Sequence, residues 1–140
     1  MSNIVAGIGR GQMQVLDKHI DLRRKMHDFY ANIFKGVKGV SVFTEPNTDY
    51  YSNHWLSCIL IDVKAAGFSR EDVRIALQES NIESRPLWKP MHMQPVFKNA
   101  PFYGRGVSEK LFEEGLCLPS GSNLTDADRQ RIKKVLLGFV

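Results

Sequence analysis

The sequence predicts an α+β domain in which a small, mostly antiparallel sheet is covered by helices. Three observations carry this prediction. Apolar residues keep helical spacing through the first quarter of the chain, short apolar runs of strand length follow, and Ser- or Thr-led capping patterns precede the later amphipathic stretches. At 140 residues, 43% hydrophobic and 24% charged, the chain has the bulk and balance of one globular domain.

From Val5 to Phe34 the apolar positions Val5, Ile8, Val15, Leu16, Ile20, Met26, Phe29, Tyr30, Ile33 and Phe34 predict a helix of about thirty residues, within a long N-terminal helical region assigned to 1–36. That is far above the mean of about 11–12 residues, so such a helix is expected to reach beyond a domain this small. Gly36 and Gly39 end it, and Val40 to Phe43 begins a short strand ahead of the polar 47–53 loop. His54 to Val63 is apolar enough for a central strand. Ser69-Arg-Glu-Asp72 is a capping box that opens a helix through Val73, Ala76 and Leu77, and Ile82 to Arg85 reads as a strand. Pro86, Pro90, Pro95 and Pro101 then impose an irregular segment over 86–105, and loops of that length are usually functional. Ser108 is expected to cap a helix to Glu114, Leu116 to Leu118 to form a strand, and Thr125 with Asp128 to cap a last helix whose apolar face is Ile132, Val135, Leu136 and Phe139.

The formal charge of +4 and pI near 9.2 come from dispersed lysines and arginines with no run of like charges. Neither a nucleic-acid partner nor a polybasic membrane patch is expected. No stretch approaches the roughly 20 apolar residues of a membrane span, and the opening Ile4 to Gly11 stretch is too short and glycine-broken for a signal peptide, so a reducing cytoplasm is the expected location. Cys58 and Cys117 fit neither a disulfide framework nor a paired metal motif and read as small buried thiols. His19, His27, His54 and His92 show no ligand spacing, so no metal is expected. Gly7-Ile-Gly-Arg-Gly11 lacks the spacing of a phosphate loop and suits close helix packing instead. Ser120 and Ser122 beside Gly121 do not form a nucleophile elbow.

The densest chemistry is Arg85-Pro-Leu-Trp88-Lys89-Pro-Met-His92-Met-Gln94. It places a planar guanidinium fork, a stacking indole, an ammonium and an imidazole within ten residues of proline-stiffened backbone. That set suits an anionic ligand that carries a ring. The competing reading has Trp88 and Met91 plugging a core while Arg85, Lys89 and His92 are solvated. A freestanding regulatory module that holds a phosphorylated metabolite on this loop is the alternative function.

Three strings, Met1-Ser-Asn-Ile-Val-Ala-Gly-Ile-Gly-Arg-Gly-Gln-Met, Glu83-Ser-Arg-Pro-Leu-Trp-Lys-Pro-Met-His-Met-Gln-Pro-Val-Phe and Leu116-Cys-Leu-Pro-Ser-Gly-Ser-Asn-Leu-Thr, resemble the DegT/DnrJ/EryC1/StrS family of pyridoxal-phosphate sugar aminotransferases. The branch they look most similar to makes bacillosamine-type amino sugars for pilin or protein glycosylation. The resemblance spans all 140 residues but only the family's C-terminal part, and so implies the C-terminal small domain of a fold-type I enzyme. It implies that Met1 is an internal methionine, that the Schiff-base lysine and most phosphate contacts lie in a large N-terminal domain, and that residues 1–36 pack on that domain. It places Arg85, Trp88, Lys89 and His92, with Asn53 and Trp55 close by, near a nucleotide sugar or amino-acid donor. The implied parent is a homodimer that carries an amino group from glutamate to a nucleotide-linked 4-keto-6-deoxy sugar. No pyridoxal phosphate is expected on this chain alone, and no activity.

Overall fold

A computed structural model describes residues 2–140; Met1, which the resemblance reads as an internal methionine, lies outside them. Helix α1 (Asn3–Ile33) is 31 residues long, and the Ser2 hydroxyl accepts from the Val5 N–H at its start. Only its last two turns enter the core, through Met26, His27, Tyr30 and Ile33. Two left-handed glycines, Gly36 and Gly39, then turn the chain into β1 (Val40–Val42). The remaining elements are β2 (Ser57–Ile61), α2 (Val63–Ala66), α3 (Arg70–Glu79), β3 (Arg85–Pro86), α4 (Val107–Glu114), β4 (Gly115–Leu118) and α5 (Asp126–Leu136). The fold class is α+β, as the sequence predicts, and every strand pairing is antiparallel, in the order β1-β2-β4-β3.

The period-2 alternation of β2 explains the layering. Ser57, Ile59 and Ile61 are buried while Cys58 and Leu60 are half-buried. Ile59 faces Leu116 across the ladder, and with Leu118 these residues meet Tyr30 and Phe34 of the α1 end, Val73 and Leu77 of α3, and Ile132 and Leu136 of α5 in one core. On the second face Cys58 pairs with Cys117 and Leu60 with Gly115, whose missing Cβ admits Leu87. Helix α4 contacts both strands.

The larger departures from the sequence expectation each have a local reason. The central strand begins at Ser57 rather than His54, because His54 sits at φ 45° with its ring buried and the Asn53 side chain accepts from the Trp55 N–H, which together make a turn. It stops at Ile61, where Asp62 caps the unforeseen α2 and Gly67, at φ 82°, ends it. Ile82 is buried but unpaired in the sheet; Asn81 is left-handed and the Ile82 N–H closes on the Leu77 carbonyl, so the end of α3 uses the residues expected to start β3. Gly106, not Ser108, precedes α4, and the Ser108 hydroxyl donates to Glu109 inside the first turn. Both capping boxes, Ser69 with Asp72 and Thr125 with Asp128, form as expected.

Gly36 and Gly39 share a left-handed conformation but differ in surroundings. A Cβ on Gly36 meets nothing within 4 Å, whereas one on Gly39 would lie 2.4 Å from the Ala66 backbone nitrogen. Gly36→Ala is expected to cost about 1–2 kcal/mol for the backbone alone. Gly39→Ala adds a collision with α2, so its loss in urea-unfolding free energy should exceed that of Gly36→Ala.

Candidate functional site

The proline-rich segment hangs from the edge of the sheet. The Leu87 N–H donates to the Gly115 carbonyl and extends the β3–β4 pairing by one residue. Tight 3-10 turns at Met91–Met93 and Pro95–Phe97 shorten the path, and the Gln94 side chain donates back to the Lys89 carbonyl. The segment returns to the body at His92, whose ring stacks on Phe102 with centroids 3.6 Å apart. Glu109 of α4 lies 2.8 Å from His92 Nε2. The Glu109 backbone N–H, the Ser108 hydroxyl and His92 hold that carboxyl below its usual range.

A groove of about 1570 Å³ wraps the free edge of β3 and reaches α3 and α5. It brings together Arg85, Trp88 and Trp55 from the sequence-derived set. Both indoles are largely exposed, 69% for Trp88 and 61% for Trp55, so neither fills a core. Lys89, His92 and Asn53 lie outside the lining. Asn53 is engaged in its own turn. Arg85 projects into solvent, paired at 2.5 Å with the equally exposed Glu83. The other cations of the groove are likewise engaged, Arg74 with Glu71 and Arg70 with the Glu113 carbonyl and the Phe112 ring. A ligand anion arriving at Arg85 or Arg74 exchanges partners with a carboxylate, whereas Arg70 has no carboxylate partner among the described residues and its Nη1 makes no hydrogen bond.

Sequence reasoning missed the cluster that holds the Trp55 loop. Glu45 accepts from Arg24 at 3.0 Å and from the Ser52 N–H at 3.1 Å, and lies 3.3 Å from His54 Nε2. Its own backbone N–H, then Arg24 and Ser52, bring its carboxyl down to about 2. The His27 and His54 rings stack at 3.7 Å, and a His27 ring nitrogen lies 3.1 Å from the Phe43 carbonyl. Arg23 donates to the carbonyls of Trp55 (2.6 Å) and Ser120 (3.2 Å), so α1 ties down both loops at this end of the groove. These partners lie 7 to 97 residues apart in sequence, and no local motif marks them.

Other sequence candidates resolve simply. Gly7, Gly9 and Gly11 have open space where a Cβ would be, so nothing among the described residues packs on them and the expected close helix packing is not seen within this chain. Among the described residues no three His, Cys, Asp or Glu side chains gather in metal-binding geometry. No helix of the described residues is long and apolar enough to cross a membrane. All ten lysines are exposed.

Residues 1–137 match the DegT/DnrJ/EryC1/StrS aminotransferase family, and the chain belongs to it. It is 43% identical over 141 residues to the Bacillus subtilis (strain 168) protein named "Putative pyridoxal phosphate-dependent aminotransferase EpsN", covering 98% of this chain and 35% of that one. A dTDP-4-amino-4,6-dideoxy-D-glucose transaminase of Escherichia coli is 31% identical over 150 residues, covering 99% of this chain and 38% of that one. The crystal structure of DesI in the presence of its TDP-sugar product shares the fold with a TM-score of 0.85 at 25% identity, covering 98% of this chain and 35% of that chain. The chain therefore spans little more than a third of the length of these relatives.

Burial, followed by the stacked His27 ring, lowers the His54 pKa against the opposing pull of Glu45. The unfolded chain then binds more protons than the folded one below about pH 6.5, the ordinary histidine value, so stability is full above that pH and falls as the pH drops through it. The urea midpoint should decline between about pH 6.5 and 5. His54→Asn, which tolerates a positive φ, should flatten that decline.

Proposed function

We propose that this chain is the C-terminal small domain of a pyridoxal-phosphate-dependent aminotransferase that transfers an amino group from glutamate to a nucleotide-linked 4-keto-6-deoxy sugar, in the bacillosamine branch that serves glycosylation. The observation that carries this reading is the match of the whole domain to a family whose relatives are nearly three times as long. The named activities of those relatives support a nucleotide-sugar acceptor.

In the parent, bound pyridoxal phosphate supplies the electron sink for amino transfer. None of the lysines of this chain is assigned to the cofactor's amine partner, and its residues are assigned recognition alone. Trp88 and Trp55 offer stacking faces to the acceptor's rings and Arg85 offers a fork to phosphate or carboxylate, while Lys89, His92 and Asn53, outside the groove lining, are assigned to the part of the cleft completed by the rest of the parent. The proline-rich segment is that wall. The first half of α1 carries Ile4, Val5, Ile8, Met13 and Leu16, all exposed, and this is the surface assigned to the rest of the parent and to its homodimer. Cytoplasmic location follows from the nucleotide-sugar substrate.

Two measurements test the reading. Treating the 140-residue chain with pyridoxal phosphate and borohydride should trap the cofactor at no preferred lysine; stoichiometric labelling of one lysine would contradict it. In the enzyme restored to full length, Trp88→Ala should remove about 1–2 kcal/mol of acceptor binding, roughly tenfold in KM, with little change in kcat. An unchanged KM would remove Trp88 from the site.

A further inference from the structure

The two cysteines, 59 positions apart in sequence, are direct cross-strand neighbours on β2 and β4, with their sulfurs 3.6 Å apart. The kind of pairing follows from the hydrogen bonds of the sheet. The Cys58 carbonyl accepts from the Phe43 N–H of the segment that continues β1. A strand residue turns its N–H and C=O towards the same neighbour, so the Cys58 backbone faces β1 and its pair with Cys117 is of the non-hydrogen-bonded type. Opposed Cα atoms in such pairs stand about 4.5 Å apart and their side chains are at their closest. That separation falls within the roughly 4.4–6.8 Å that a disulfide spans. Bringing the sulfurs together then takes side-chain rotation without any change of register.

The pair is also reachable. Cys58 is half-buried, and Cys117, though 7% exposed, lines the groove beside Leu87, Trp88 and Phe112. Either sulfur can donate across the 3.6 Å contact; in the arrangement where Cys58 donates, the contact lowers the Cys117 pKa and raises that of Cys58, which makes Cys117 the attacking thiolate.

We propose that Cys58 and Cys117 form a paired-thiol exchange site that reduces one molecule of a small disulfide and closes into a bridge between β2 and β4. The Cys117 thiolate attacks one sulfur of the disulfide, forms a mixed disulfide and expels the first small thiolate. Cys58 gives up its proton and attacks the Cys117 sulfur, which expels the second. Two protein thiols are oxidised, the disulfide is reduced to two thiols, and no other oxidant is required. The site is independent of the reading under Proposed function and stands or falls without it.

The chain has only these two cysteines, so an intramolecular bridge has one possible identity. The native 140-residue chain is equilibrated with glutathione disulfide and glutathione, quenched with N-ethylmaleimide and weighed by mass spectrometry without reductant. The expected product has lost two hydrogen atoms, carries no maleimide and is restored by dithiothreitol. The glutathione ratio at half-oxidation should be at least tenfold more reducing for the native chain than for the chain in urea. Cys58→Ser under the same conditions should hold glutathione on Cys117. Uptake of two maleimides by the native chain, covalent dimers in place of the bridge, an equal or less reducing midpoint than in urea, or a C58S chain free of glutathione would each overturn the proposal.

Discussion

The arrangement depends on one antiparallel seam, the pairing of β2 with β4, whose buried face sets Ile59 against Leu116. Everything near the groove is registered from it. At the end of the seam the Ser120 hydroxyl accepts from the Ser57 N–H at 2.8 Å and donates to the Leu118 carbonyl at 2.8 Å, so the turn after β4 is fastened to the start of β2. The Tyr30 hydroxyl, on a fully buried ring, donates to the Pro119 carbonyl of the same turn. Burial pushes that phenol's pKa upward, which keeps it a neutral donor. Leaving any of these buried polar groups unpaired would cost about 1–3 kcal/mol, so the seam and its turn hold one another in place.

From that frame the rest of the groove follows. Arg23 and Arg24, adjacent on α1, reach opposite sides of the loop before β2: Arg23 takes the carbonyls of Trp55 and Ser120, and Arg24 takes Glu45 and the Ser52 carbonyl. Trp55 is presented outward by a loop held from behind, and Trp88 by a segment stiffened with prolines. The two indoles keep their exposure because their backbones are fixed elsewhere.

The fold was legible in the sequence wherever a local rule decides it. Helical spacing fixes α1, and the capping boxes fix the starts of α3 and α5 within their own first turns. The errors gather where a tertiary contact overrides local preference, as at His54, whose stacked ring bends the chain before β2, and at Ile82, claimed by the end of α3. The candidate site divides the same way. Arg85, Trp88, Lys89 and His92 stand out in sequence because they crowd a proline-rich loop, while Glu45, His27 and Arg24 meet only after folding and share no spacing that a reader could follow. Gly106 shows the remaining case: a left-handed glycine and a serine two residues later compete for the same helix start, and the glycine holds it.

Pro86 sits in the edge strand β3, only two residues long. Proline has no N–H to offer outward, and the neighbouring position carries the charged side chain of Arg85. An extended segment of another molecule that approached this margin would find a broken row of donors and a guanidinium in its path. The sheet therefore terminates itself on the side that opens to the groove, and the chain can leave that margin uncovered for small molecules without inviting fibrillar growth along it.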